Sequence, residues 1–368
     1  MKFRFLGALT ALFLLLTTLG GCIVPEIPYG EGTTAADTAD GATLPEGSAF
    51  AIHFIDAGQA DAALVICDGK TMLIDGGNVD DSDRIYTYLK KQNVTHLDYV
   101  VCTHAHEDHV GGLSGALTAA TAGTVYSPVT DYNSKAFRNF AAKAEERAGG
   151  LTLPQAGQVI SLGSARITVL GPLKAYEETN DTSIVLRIVY GETSFLFTGD
   201  METSAEADLL DAGAVLQSTV LKVGHHGSST STSYRFLREV APTYGVISVG
   251  TDNSYNHPND DVLSRLRDAD VILYRTDMQG DIVCVSDGVT VTFYTAKDNN
   301  LPTNPTESEK TTSDGSAVTE YAYIGNLNSK TFHLPTCSVL PNEENRIYFT
   351  TRQEAEDNGY TACGRCKP

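Results

Sequence analysis

An α/β fold of two sheets flanked by helices is predicted for residues 49–297 by three observations. Short runs rich in Val, Ile, Leu and Phe recur along this stretch, each closed by Gly, Asp or Asn as strands are. Amphipathic stretches with helical spacing lie between some of them. With 368 residues and 42% apolar content, the chain has enough hydrophobic side chains for a globular core.

Taken in order, the strand candidates begin with "AFAIHFIDAG" (49–58), "DAALVICDG" (61–69), "TMLIDGG" (71–77) and "LDYVVCTH" (97–104). "ARITVLGP" (165–172), "SIVLRIVYG" (183–191), "TSFLFTGD" (193–200) and "STVLKVGHHG" (218–227) follow, then "YGVISVG" (244–250), "VILYRTD" (271–277), "DIVCVSDG" (281–288) and "VTVTFYTA" (289–296). The helical candidates are "DRIYTYLKKQ" (83–92), a helix within "HVGGLSGALTAA" (109–120), "SKAFRNFAAKAEERA" (134–148), "SAEADLLDAG" (204–213), "YRFLREV" (234–240) and "DDVLSRLRDA" (260–269).

Outside this body the composition changes. Residues 1–22 combine a basic start, an apolar stretch too short for a comfortable membrane span, and small residues before Cys22. They resemble a bacterial lipoprotein signal, which implies an exported, cell-membrane lipoprotein held by lipid on Cys22 alone; an ordinary secretory peptide is the rival. Residues 23–48 are poor in large apolar side chains and read as a flexible tether. A polar stretch at 298–318 reads as a linker to a tail module at 319–368. The formal charge of −20, or −22 once Lys2 and Arg4 leave with the signal, disfavours broad electrostatic capture of nucleic acid or an anionic membrane. Any polyanionic substrate must be held locally.

"VVCTHAHEDHVGG" (100–112) concentrates His104, His106, Asp108 and His109 where a buried strand ends, in a chain with nine histidines. Imidazoles at i and i+2 aim to one side of an extended loop, while the Asp and His that follow turn to a neighbouring point. Imidazole and carboxylate are ligands of zinc, manganese or iron, and this grouping suits two adjacent ions.

The run His104-x-His106-x-Asp108-His109 resembles the signature of the metallo-β-lactamase superfamily. "HFIDAGQADAALV", "MLIDGG", "NDTSIVLRIVYGETSFLFTGD", "LKVGHHGSSTS", "ISVGTDNSYNHP" and "YRTDMQGDI" extend the resemblance to the ComEC/Rec2-like branch, which includes the hydrolase domain of the competence DNA-uptake protein. The resemblance implies an αββα sandwich over 49–297. It implies Asp200 as a carboxylate bridging two metals, His225 or His226 as a ligand of the second, and Asp75 as the residue orienting a metal-bound histidine. This sequence has no histidine between His109 and His225, as the resemblance to that branch implies, so Asn180, Asp181 or Ser183 is the candidate for the first metal's third ligand, and oxygen ligation adds manganese or magnesium beside zinc. Lys222, His226 and Ser228 are candidates to hold a phosphate, with Lys222 alternatively a strand residue whose amine reaches the surface, and Asn180 is also a candidate substrate contact. His257 is a candidate substrate contact or general acid, or a turn residue.

The chemistry implied is hydrolysis by hydroxide that two divalent ions, zinc or manganese, make available near neutral pH. A phosphodiester, plausibly DNA, is the substrate class favoured. Another ester, a lactone or a lactam is the alternative, as is a non-catalytic lipoprotein that binds DNA or a partner.

In the tail, His333 and Cys337 precede Cys363 and Cys366, a ligand set suited to one structural zinc. A module of this size needs such a staple. "EAEDNGY" and "TACGRCKP" resemble the metal-binding module of the Ada DNA-repair methyltransferase. Ada's methyl-accepting cysteine aligns with His333, so the resemblance implies a structural or contact role. A disulfide among Cys337, Cys363 and Cys366 is the rival in an oxidising compartment. Cys67, Cys102 and Cys284 lie in apolar strands and read as core thiols.

Overall fold

The computed structural model describes residues 49–298, 301–305, 322–335, 337, 339–342 and 345–368. The expected signal with Cys22 and the expected tether lie outside these residues, as does most of the expected linker.

The first half runs β1 (Phe50–Phe54), β2 (Ala63–Cys67), β3 (Lys70–Ile74), α1 (Ser82–Lys91), β4 (His96–Val101), α2 (Glu107–Val110), α3 (Leu113–Ala119), β5 (Thr121–Tyr126), α4 (Lys135–Ala148) and β6 (Leu151–Thr152). The second half runs β7 (Val159–Leu162), β8 (Ala165–Gly171), β9 (Val185–Tyr190), β10 (Thr193–Phe197), α5 (Thr203–Asp211), β11 (Val220–Lys222), α6 (Tyr234–Val240), β12 (Tyr244–Ile247), α7 (Asp260–Asp268), β13 (Ile272–Arg275) and α8 (Thr276–Gln279). β14 (Ile282–Ser286) and β15 (Val291–Thr295) close the body.

Two sheets result, ordered β15-β14-β1-β2-β3-β4-β5-β6 and β13-β12-β11-β10-β9-β8-β7. In each, an antiparallel part adjoins a parallel part: β3 to β6 are parallel in the first, and β10 to β13 in the second. Period-two alternation divides their side chains among three cores. Phe50, Ile52, Phe54, Met72 and Ile74 of the first sheet meet Ile188, Phe195, Phe197 and Val220 of the second between the sheets. Phe50 stacks on Phe195 and Phe54 on Phe197, at centroid distances of 5.0 and 5.8 Å. Leu73 and Val100 face outward to α1, α3 and α4, while Leu196, Leu221 and Ile247 face outward to α5, α6 and α7. Four layers, helix, sheet, sheet, helix, are the outcome.

β5 and β7 were not among the sequence expectations, because only Val125 and Tyr126 of "TAGTVY" and Leu162 of "VISL" are buried. The single helix expected within 109–120 is two, broken at Gly111 and Gly112. Their backbones press on Asn78, Val79 and Gly76 so closely that a Cβ at either position would overlap main-chain atoms. That contact docks the ligand-bearing turn against the end of β3.

Cys67, Cys102 and Cys284 are buried free thiols in the core. The expected start of the linker at 298 needs revision, since residues 301–305 return to the second sheet. Thr303 Oγ1 donates to the carbonyl of Leu273, Arg275 to the carbonyl of Thr303, and Asn304 Nδ2 to the carbonyl of Leu263.

The tail holds a separate four-stranded sheet, β16 (Tyr323–Asn326), β17 (Thr331–His333), β18 (Arg346–Phe349) and β19 (Thr361–Ala362), with α9 (Arg352–Asp357). Its buried apolar cluster is Phe332, Phe349, Ala355 and Tyr360. Among the described residues, no helix is long and apolar enough to cross a membrane.

Candidate metal centre

The ends of β3, β4, β10 and β11 deliver the ligand-type side chains to one place. Asp75 follows β3, His104 to His109 follow β4, Asp200 follows β10, and His225 and His226 follow β11. Three of these residues, Asp75, His225 and His226, hold left-handed backbone with φ of 58, 50 and 51°. Such conformations are strained for residues with a Cβ and persist where the surroundings impose them.

Asp200 is the hub. Its Oδ2 lies 3.3 Å from His109 Nε2, 3.5 Å from His226 Nε2, 3.7 Å from His225 Nε2 and 3.9 Å from His104 Nε2. Asp108 Oδ2 is 3.3 Å from His226 Nε2, and His104 Nε2 is 3.1 Å from His106 Nδ1. Ligand atoms of Asp108, His109, Asp200 and His226 all fall within 4.8 Å of one another.

The contacts behind the rings decide which nitrogen faces the cluster. His109 Nδ1 donates to Asp75 Oδ2 at 2.8 Å, and Asp75 is fixed in turn by the backbone N–H and hydroxyl of Thr103, both at 2.7 Å. His226 Nδ1 donates to the carbonyl of Ser248 at 2.9 Å. Both arrangements leave Nε2 for the cluster. Among the described residues, His109 Nε2, His226 Nε2 and Asp200 Oδ1 are buried with no hydrogen-bond partner. Buried polar atoms are rarely left so, and three on residues of one cluster mark a place shaped for cations.

The electrostatics agree. Burial alone would lower the pKa of His109 and His226, but Asp200 with Asp75 or Asp61 raises both well above the ordinary histidine value. Burial would raise Asp108, yet His109 and His226 hold it down at about 2. His104 is driven well below its ordinary value by burial and by the charge of His109. The cluster carries negative charge in search of positive charge, whether proton or metal ion.

Of the two candidates in "HHG", the structure puts His226 in the buried four-group cluster, while His225 is half-buried beside Glu202 and Thr230. The "NDTS" segment supports the Asp200 loop instead of joining the cluster. Asp181 accepts the backbone N–H of Glu202, Asn180 donates to the Glu202 carboxylate, and Ser183 Oγ accepts the N–H of Asp200. Ser228 is buried, with Oγ on Thr230.

Lys222 corrects both of its sequence expectations. It is buried, and its ammonium pairs with Asp61 at 2.9 Å and donates to the carbonyl of Val223. It neither reaches the surface nor is free to hold a phosphate. Asp61, which sequence reasoning passed over in "GQAD", lies 3.3 Å from His226 Nδ1; Lys222 and His226 hold its carboxyl below the usual range against the effect of burial. Its signal was a carboxylate at a strand entry with no obvious solvent-facing role.

His257 stands at the rim, its ring 5.6 Å from that of His225, with Nδ1 3.4 Å from the Gln59 amide. Burial and the neighbouring imidazoles push its pKa down to about 4, which leaves a neutral ring poorly suited to act as general acid.

The tail forms a second cluster. One ligand atom from each of His333, Cys337, Cys363 and Cys366 falls within the same 4.8 Å limit. His333 ends β17, and Cys363 follows β19, its N–H bonded to the carbonyl of Phe332. The thiols are free, not disulfide-bonded. Backbone N–H groups of Cys366 and Arg365 draw the Cys363 thiol below its ordinary pKa, which favours the thiolate a metal needs.

Comparison with known proteins follows the same division. Residues 55–251 match the metallo-beta-lactamase superfamily, and residues 309–368 match the metal binding domain of Ada. The chain is 27% identical over 250 residues to ComE operon protein 3 of Bacillus subtilis (strain 168), a match covering 63% of this chain and 32% of that protein. It is 34% identical over 240 residues to competence protein ComA of Neisseria gonorrhoeae, covering 64% and 32%. The matched region thus spans about a third of the length of these curated relatives. Among solved structures, the metallo-beta-lactamase fold protein YhfI from Bacillus subtilis aligns with a TM-score of 0.43 and 12% identity, covering 67% of this chain and 100% of that one.

Proposed function

The chain belongs to the metallo-β-lactamase superfamily, and from that premise we propose that its body is a metal-dependent phosphodiesterase acting on DNA. The observation that carries the proposal is the convergence of four imidazole Nε2 atoms on one carboxylate oxygen of Asp200, with Asp108 alongside. A carboxylate so placed would serve two cations together with these imidazoles. His104, His106 and His225 would hold one with Asp200, and Asp108, His109 and His226 the other. When bound, two divalent cations supply Lewis acidity toward phosphoryl oxygen and toward water.

The chain's own residues do the rest. Asp75 and the Ser248 carbonyl keep the Nε2 atoms of His109 and His226 turned to the cluster. Ser183 and Asp181 hold the Asp200–Glu202 turn through its backbone. His257, neutral and at the rim, offers a hydrogen bond to a bound substrate. Lys222 being committed to Asp61, a phosphate must be neutralised by the cations themselves. The similarity to a relative named competence protein ComA supports DNA as the substrate class.

For the tail we propose one structural zinc held by His333, Cys337, Cys363 and Cys366. For location we propose export and lipid attachment at Cys22, which labelling with a radioactive fatty acid tests: a Cys22→Ser chain that still takes up label removes that assignment.

The deciding experiment loads the purified chain with Zn²⁺ or Mn²⁺ and assays single- and double-stranded DNA, RNA, bis-p-nitrophenyl phosphate, a lactam and a lactone. Metal-dependent cleavage of DNA is expected. Activity confined to the lactam or lactone would overturn the phosphodiesterase reading, and substoichiometric metal with no turnover would favour a binding protein.

A further inference from the structure

An uninterrupted row of rings crosses the metal cluster and ends in solvent. Tyr132 faces His106 at 6.4 Å between centroids, His106 faces His104 at 4.8 Å, and His104 faces His109 at 4.1 Å. His109 continues to His226 at 5.3 Å, and His226 to His257 at 6.5 Å. The row ends on Tyr255, 5.7 Å from His257. The last three rings are nearly parallel, with interplanar angles of 22 and 26°.

Tyr255 is 67% exposed, on a loop closed by hydrogen bonds of its own. Asn253 Nδ2 donates to the carbonyls of Gly250 and His257, and Asn253 Oδ1 accepts the N–H groups of Tyr255 and His257. One amide side chain thus staples both ends of the turn that carries the exposed ring. Tyr255 stacks on the rim histidine His257 and is otherwise in water, and a flat ring held so beside a polar cluster is what a nucleobase stacks on.

We propose that Tyr255 is the base-stacking residue of the substrate site, so that the site takes a phosphodiester carrying a nucleobase next to the scissile group. This rests on the phosphodiesterase reading and narrows it to nucleic acid strands with an unstacked base, single strands or frayed ends. The ring sets specificity and orientation through the base; it takes no part in the bond cleavage.

The test compares the full metal-loaded chain with its Tyr255→Ala and Tyr255→Phe variants on two substrates, an oligothymidylate and an oligomer of the same length lacking bases. Tyr255→Ala is expected to raise KM on oligothymidylate about tenfold, the size of one lost stack, with kcat within about twofold. On the abasic oligomer it should change nothing, and Tyr255→Phe should behave as wild type on both. An equal loss on both substrates, or none on either, overturns the stacking assignment while leaving the phosphodiesterase reading standing. Should the wild type cleave neither oligomer nor double-stranded DNA, RNA or bis-p-nitrophenyl phosphate, the phosphodiesterase reading falls. Fluorescence anisotropy of labelled oligothymidylate with the wild type and Tyr255→Ala then decides the base contact alone: weaker binding by the variant supports it, and equal or absent binding overturns it.

Discussion

The two ligand clusters of this chain are built in opposite ways. In the body, Asp200 and its imidazoles sit on strand ends whose side chains belong to cores between and outside two large sheets. The cluster is rich in carboxylate, braced from behind by Asp75 and Ser248, and open at a rim lined by His257 and Tyr255. In the tail, three sulfurs and an imidazole close on one another above four buried apolar side chains. The body's ligands ride on three large cores, and the tail's ligands stand beside one small core.

The largest expected effect breaks the tail and spares the body. Binding of a structural zinc contributes on the order of 10 kcal/mol, more than so small a core supplies. Treating the full chain with a strong chelator should therefore abolish amide-exchange protection in residues 322–368 while β1 and β10 stay protected. Protection surviving in β16 to β19 without metal would remove the distinction. Next, Asp200→Ala should lower the DNA cleavage rate about a thousandfold, since several kcal/mol of charge stabilisation is lost at about 1.4 kcal/mol per decade. The same variant should keep the exchange protection of β1 and β10; a variant that still binds two cations and turns over normally would show that Asp200 is not shared. The smallest effect sharpens the comparison further. Asp75→Asn removes a charge behind His109 and should weaken cation binding in the body about ten- to a hundredfold, read by competition with a chromogenic chelator, leaving the tail's metal untouched. Unchanged affinity would mean that the packing around His109 orients the ring without Asp75.

The parts of the site that neighbour one another in sequence were legible. His104, His106, Asp108 and His109 stand within one turn at a strand end, and Asp75 and Asp200 each close an apolar run, so the sequence itself displays them. Contacts between distant segments were not. Lys222 follows the alternation of β11, sharing the inward face of Val220, yet a lysine at a strand end reads as a solvent group until Asp61 is seen beneath it. Which of His225 and His226 lies in the buried four-group cluster depends on two successive left-handed residues that no spacing rule announces. "NDTS" offered oxygen ligands by composition, but its oxygens and amides serve the backbone of the Asp200 turn. The sheets were legible through their apolar runs, and β5 and β7 were not, because sparse burial leaves little hydrophobic signal.

The return of residues 301–305 to β13 bears on how the body behaves when separated. β13 is an outermost strand of its sheet, and an outermost strand offers bare backbone groups as a template for another molecule's strand. Here Thr303 occupies the carbonyl of Leu273, and Arg275 reaches back to the carbonyl of Thr303. A chain cut after Lys297 keeps every residue of the metal cluster and loses this cover, so it invites edge-to-edge self-association that a chain ending at Pro305 resists.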